Sequence, residues 1–279
     1  MVAQHKINWW TMRVMVTCAV LIYIFPLYWM AISSIKTMEG IYSRTLYLIP
    51  PLQEATLRTY YRALEIGFFR YMLNSLIVAT GTMILTLVLA ILASYSLARI
   101  RGSQVRWLLI GFLLAQMLPA VLLATPIYLI FRQMGLLNNF LGLILANTTL
   151  TLPLAVIIMR PIMLQIPQVM EEAAQIDGCS LWQNILYIVV PVIRPGLVVV
   201  GTISFLMAYG EFLFAITLIA DPGRFPVTTG IYILTTGPYM HEWNSAMAFA
   251  SLATLPVLLL FLIFQRHIVS GITEGTSIE

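Results

Sequence analysis

Apolar positions in this chain gather into six long runs that are almost free of charge: Val14–Ile35, Tyr71–Ala98, Trp107–Phe131, Gln133–Met159, Pro195–Ala220 and Trp243–Gln265. Each is 22 to 28 residues long, and together they contain a single formal charge, Glu211. A helix needs ~20 apolar residues to cross the hydrocarbon layer of a bilayer. The pattern therefore predicts an all-α membrane protein with six transmembrane helices. The first run exceeds the 7–15 apolar residues of a secretory signal core and ends in Tyr28-Trp29-Met30 without a small-residue cleavage site. It reads as a retained helix. Pro26, Pro119, Pro126, Pro153 and Pro256 interrupt the runs and predict kinks, because proline removes a backbone donor. Phe225–Met240 is uncharged but too short to span, and with Pro226, Gly230, Gly237 and Pro238 it reads as an interfacial or re-entrant loop on the outer side.

Composition sharpens this picture. Hydrophobic residues make up 60% of the 279 and charged residues 9%, against about 25% charged in an ordinary soluble chain. The chain is read as one transmembrane domain over residues 1–279, with no room for a sizeable soluble domain. The net charge of +4 is modest and the basic residues flank the runs, which argues against nucleic-acid binding. Cys18 and Cys179 make no disulfide framework, and His5, His241 and His267 share no metal-ligand spacing. Arg99, Arg101 and Arg106 form a short acid-free loop, which the positive-inside rule places in the cytoplasm, and with it both termini. The overall count is closer: eight basic residues fall inside and seven outside on this topology, five of the latter in Lys36–Arg70.

The longest informative polar stretch is the loop 160–194. It reads as helix, turn, helix. Pro167 suits the first helical position, Glu171 and Glu172 suit the positive end of the helix dipole, and Gly178 suits a left-handed stop. Ser180 with Gln183 matches a capping box for a second helix, whose Leu181, Ile185 and Ile188 recur at helical spacing and which Pro191 and Pro195 end. Ala173 and Ala174 beside an acid would let the first helix enter a groove on another protein closely, with the carboxylate meeting a basic partner. An ordinary helix lying on the bilayer surface fits the same composition.

Glu172-Ala173-Ala174, Gly178, Ile188 and Pro191 resemble the EAA loop that marks the membrane subunits of binding-protein-dependent ABC importers, and Asp177 before the glycine resembles the carbohydrate-uptake branch, the family of the maltose-transporter inner permease subunit. The resemblance runs from about Ile22 to Gly271 and includes Phe25-Pro26-Leu27-Tyr28-Trp29, Ser34-Ile35-Lys36, Asn74-Ser75-Leu76, Ala93–Arg99, Pro126-Ile127-Tyr128, Gly135-Leu136, Ile166-Pro167 and Gln265-Arg266. It implies an ABC type I importer permease fold in a bacterial cytoplasmic (inner) membrane. It also implies an ATPase-coupling role for Glu172, Ala173, Ala174, Asp177 and Gly178. Implied partners are a second, non-identical permease subunit, two cytoplasmic ATPase subunits and an extracytoplasmic solute-binding protein. ATP and Mg would sit on the partner ATPase, with no cofactor bound by this chain. Two places depart from the family. Tyr209-Gly210-Glu211 stands where relatives carry Trp-Asn before the acid, and the tail after Gly271 and Gly275 is Thr276-Ser277-Ile278-Glu279, without the lysine of relatives.

The expected function is ATP-driven import of a sugar, oligosaccharide or sugar-like polyol, with hydrolysis on another chain. Lys6 and Lys36 follow His5 and Ile35, so no Walker A Gly-Lys exists here. Candidate path residues are Glu211, the one intramembrane acid, with Ser204 seven residues earlier, Asn147 and Thr151 four apart on one helix face, and Gln116 beside Pro119. Each also has a plainer reading: Glu211 reaching water or a loop at the outer end, the hydroxyls and amides joining helices. The competing functions are import of another solute, such as a glycerol phosphodiester, by the same machinery, and an ion-coupled secondary transporter. No span interior carries the Arg or Lys that a phosphate would want. One glutamate is thin support for ion coupling. The spans hold no His-Glu-x-x-His and no Gly-x-Ser-x-Gly, which argues against an intramembrane enzyme.

Overall fold

The computed structural model describes residues 9–43, 45, 47–100, 102–236 and 242–274, with side chains through residue 265. The helices are α1 (Trp9–Ser34), α2 (Met38–Tyr42), α3 (Arg58–Glu65), α4 (Phe68–Arg99), α5 (Ser103–Met117), α6 (Ala120–Gln133), α7 (Phe140–Leu164), α8 (Gln168–Ile176), α9 (Leu181–Asn184), α10 (Val190–Val192), α11 (Arg194–Tyr209), α12 (Leu213–Leu218), α13 (Val227–Thr236) and α14 (Trp243–Glu274). A π turn, Ile185–Val189, joins α9 to α10. Among the described residues there is no strand, only an isolated bridge between Lys36 and Ala55.

Four helices, α1, α4, α7 and the part of α14 up to Gln265, are long and apolar enough to cross a bilayer unbroken. Two further spans are bent pairs, which brings the count to six: α5 with α6 at 98°, and Leu181–Val192 with α11 at 84°. The third apolar run is thus not one straight helix. Leu118 is extended (φ −71°, ψ 125°) because the Pro119 ring crowds the helical conformation of the residue before it. Pro26, Pro126, Pro153 and Pro256 lie inside helices instead. In the fifth run, α11 stops at Tyr209, and Gly210, Glu211 and Phe212 separate it from α12. The stretch read as an outer loop contains a helix, the ten-residue α13, too short to span. Residues 237–241 and the tail 275–279 lie outside the described residues.

The chain divides into two compact units, Met1–Phe68 with Ile231–Leu255 and Phe69–Gly230 with Pro256–Glu279. In the first, α1 buries only Ser33 and Ser34. That terminus is tied down by hydrogen bonds: the Ser34 and Tyr60 hydroxyls lie 2.7 Å apart, and Thr59 donates to the Ser34 carbonyl at 2.6 Å. Lys36 is buried, its ammonium donating to the Tyr47 carbonyl at 3.0 Å and lying 4.8 Å from the centre of the Trp29 ring. Asn244 donates to the Lys36 carbonyl at 3.2 Å. Phe68 and Phe249 meet edge to face at 4.9 Å.

In the second unit α7 is central and packs against α5, α11 and α12. One apolar cluster joins Val156, Met159 and Met163 to Leu97, Val189, Ile193 and Val200. Another joins Leu143 and Ala146 to Val78, Phe214 and Leu218. Buried hydroxyls link α4 to α7: Thr86 and Thr151 lie 2.6 Å apart. In a bilayer such polar contacts, with packing, hold helices together, since lipid tails are as apolar as the side chains.

Candidate functional site

The loop 160–194 folds much as its residue pattern dictates. Pro167 is extended (φ −62°, ψ 129°) and caps α8 from outside, one position earlier than expected. After α8, Gly178 adopts φ +85°, the left-handed conformation that a side chain disfavours. The chain closes behind it with the Cys179 N–H donating to the Ala174 carbonyl at 2.9 Å, a Schellman-type stop. Ser180 and Gln183 form the reciprocal capping box, with Ser180 N–H to Gln183 Oε1 at 2.7 Å. The second helix does not end at Pro191, which lies within α10. The π turn before it widens the helix, with the Val190 N–H reaching back five residues to Ile185, and such a wider turn relieves the clash of a proline ring with the preceding turn. Pro195 then sits in the first turn of α11.

Two faces of α8 differ sharply. Glu171 and Ala174, three residues apart, are buried. The opposite face carries Val169 at 72% exposure and Ile176 at 86%, with Glu172 and Ala173 also exposed between them. These four stand at i, i+3, i+4 and i+7, one stripe of a helix. Asp177 and Gly178 continue it as an exposed turn. An apolar stripe with one carboxylate, outside the predicted spans, is the surface a protein groove would cover.

The buried face is held by charge. Arg99, in the last turn of α4, pairs with Glu171 through Nη2 and donates through Nε at 3.0 Å. The Tyr95 hydroxyl donates to the other carboxylate oxygen at 2.8 Å, and the Asn184 amide reaches both Tyr95 and Glu171 at 3.4 Å. Arg99 Nη2 also donates to the Ile166 carbonyl at 3.4 Å, and Arg160 Nε donates to the Leu97 carbonyl at 3.2 Å. Burial pushes the Glu171 carboxyl upward, but the hydrogen bonds from Arg99, Tyr95 and Asn184 and the guanidinium charge together hold it below the ordinary carboxylate value. The sequence treats Glu171 and Glu172 as equivalent N-terminal acids. Helix phase was the available signal: 171 and 174 share one face, 169, 172, 173 and 176 the other.

The candidate path residues are placed individually. Asn147 and Thr151 are 1% and 2% exposed inside the packed face of α7, and Thr151 is engaged by Thr86. Ser204 is buried on α11. Gln116 is exposed near the end of α5, beside the break at Pro119. The Glu211 carboxylate accepts from the backbone N–H of Phe214 at 2.8 Å and of Ala215 at 3.1 Å, which caps α12. Its own carbonyl accepts from the Thr228 hydroxyl at 2.9 Å.

The family of binding-protein-dependent transport system inner membrane components matches residues 87–274 of the chain. The diacetylchitobiose uptake system permease of Streptomyces coelicolor is 32% identical over 254 residues, covering 90% of this chain and 91% of the relative. The sulfoquinovosyl glycerol transport system permease of Agrobacterium fabrum is also 32% identical over 254 residues, 90% of this chain and 88% of the relative. The trehalose/maltose transport system permease of Thermococcus litoralis is 30% identical over 260 residues, 91% of each. In fold, the chain is similar to a chain of a bacterial alginate ABC transporter crystallised with a periplasmic protein bound to alginate pentasaccharide. There the TM-score is 0.63 at 17% identity, covering 93% of this chain and 95% of that one. The chain belongs to the family of binding-protein-dependent transport system inner membrane components, and is a multi-pass membrane permease subunit of an ABC importer, a transport subunit and not an enzyme.

Proposed function

We propose that this subunit imports a sugar, oligosaccharide or sugar-like polyol, and that the exposed stripe of α8 is where a separate ATPase grips it. The observation that carries the second part is the stripe itself: Val169, Glu172, Ala173 and Ile176 turned outward on a helix whose other face is anchored. The carbohydrate reading is supported by the diacetylchitobiose, sulfoquinovosyl glycerol and trehalose/maltose systems to which its relatives belong.

In this reading two ATPase subunits hold ATP and Mg in the cytoplasm. Their closure on ATP moves α8, and the spans switch which side of the membrane their cavity faces. A second, non-identical permease subunit completes the path, and an extracytoplasmic binding protein delivers the solute. Both termini and the loop 160–194 face the cytoplasm. The ATPase-coupling set is Glu172, Ala173, Asp177 and Gly178; Ala174, expected with them from the sequence, is turned to the buried face and packs behind the stripe. Within the membrane, Asn147, Thr151 and Ser204 are buried and serve helix packing, Glu211 shapes the break in the fifth span, and Gln116, the exposed candidate, is the one left to line the path.

The test is uptake of a labelled panel (maltose, trehalose, diacetylchitobiose, glycerol phosphodiesters) in cells with and without this chain, under ATP depletion or a protonophore. The reading expects loss of one carbohydrate on deletion and on ATP depletion. Uptake that survives ATP depletion but collapses with the protonophore contradicts it.

A further inference from the structure

Four side chains from three segments converge behind α8: Tyr95 and Arg99 at the end of α4, Glu171 on α8, and Asn184 at the end of α9. Arg99 and Glu171 retain only 18% and 6% of their side-chain exposure. A buried ion pair that also satisfies its remaining donors and acceptors fixes geometry more than it adds stability. Both Glu171 oxygens are engaged, Arg99 donates to Glu171 through Nε and Nη2 with Nη2 also reaching the Ile166 carbonyl just before α8, and the buried Asn184 Oδ1 is the one oxygen of the four side chains left without a partner. The direct covalent neighbour of α8 is α7, through Gln165, Ile166 and Pro167. The network instead joins α8 side chain to side chain with α4.

Resting on the reading of α8 as the ATPase-gripped helix, we infer that Glu171 is a positioning residue: with Arg99, Tyr95 and Asn184 it locks α8 to α4, so that displacement of α8 is delivered to the second span as a rigid-body movement. Glu171 touches no part of the outward stripe, so it acts through Arg99 and not on the ATPase. The neighbouring glutamates then divide the work, Glu172 facing outward and Glu171 inward.

The experiment is pulsed electron paramagnetic resonance on the reconstituted importer, with Cys18 and Cys179 replaced by serine and spin labels at Gln175→Cys and Val88→Cys. Co-purification of the ATPase with the unmodified chain is measured first; its absence sinks the reading of α8 and not the lock. In the parent, the 175–88 distance is narrow and unchanged between the nucleotide-free complex and the complex trapped with Mg-ATP and vanadate. In Glu171→Gln the ATPase still co-purifies, but the distance distribution broadens and shifts with nucleotide. Tyr95→Phe, which removes one oxygen, gives the same effect to a smaller degree and decides the matter if Glu171→Gln does not reach the membrane. A Glu171→Gln or Tyr95→Phe distance as narrow and as nucleotide-independent as the parent's overturns the lock. So does a parent distance that itself shifts with nucleotide, or loss of ATPase binding in Glu171→Gln, which would place Glu171 in the docking surface.

Discussion

Glu172 stands in solvent while Glu171, one residue earlier, is enclosed by Arg99, Tyr95 and Asn184. Their substitutions should therefore fail differently. Glu172→Lys reverses a charge on an exposed face, where a change costs about 0.5 kcal/mol or less of fold stability. It should leave the membrane level of the protein unchanged on immunoblots and abolish ATP-dependent uptake. Glu171→Ala leaves the Arg99 guanidinium enclosed without its counter-charge, a loss of roughly 3–5 kcal/mol, visible as a lowered thermal transition in detergent. Glu171 also sets a pH dependence. Its folded carboxyl titrates below the ordinary 4.5, so the ionised pair stabilises fully above that value and is lost as pH falls through the folded one. Hydrogen exchange of α8, corrected for intrinsic rates, should stay flat from neutral pH down to about 4.5 and accelerate below it. The residue types of this site were legible in the sequence, as were the Gly178 turn and the Ser180 cap, because these are local. The Arg99–Glu171 pair was not, because its members lie 72 positions apart and only packing brings them together.

At the scale of the helix, charge gaps predict spans well and bends poorly. The break at Pro119 was foreseeable from proline's effect on the preceding residue. The break at Gly210–Phe212 was less so: the apolar run continues across it, and what stabilises it is the Glu211 carboxylate bonded to the first free N–H groups of α12. Glu211→Ala should cost roughly 0.5–2 kcal/mol, the usual loss for a helix cap, read as a lower unfolding temperature in detergent. The same logic separates the two readings of Thr151. Spacing alone puts Asn147 and Thr151 on one face, but whether that face meets solute or another helix depends on α4, whose Thr86 occupies it. The short α13 escaped the sequence reading because ten apolar residues between turn-formers fit a loop or a helix equally.

For the whole molecule, the family resemblance carried what periodicity could not. A helix such as α1, with no part of its apolar window buried against the chain, is an outward surface. The exposed stripe on α8 is different: on the proposed reading its partner offers an apolar groove with a basic group facing Glu172. The most direct test of this account is labelling of Ile176→Cys, in a background with Cys18 and Cys179 replaced by serine, with a membrane-impermeant maleimide. The account predicts labelling in inverted vesicles and not in intact spheroplasts, and protection when the cognate ATPase is added back. Labelling from the outside of intact spheroplasts, or labelling indifferent to the ATPase, would contradict it.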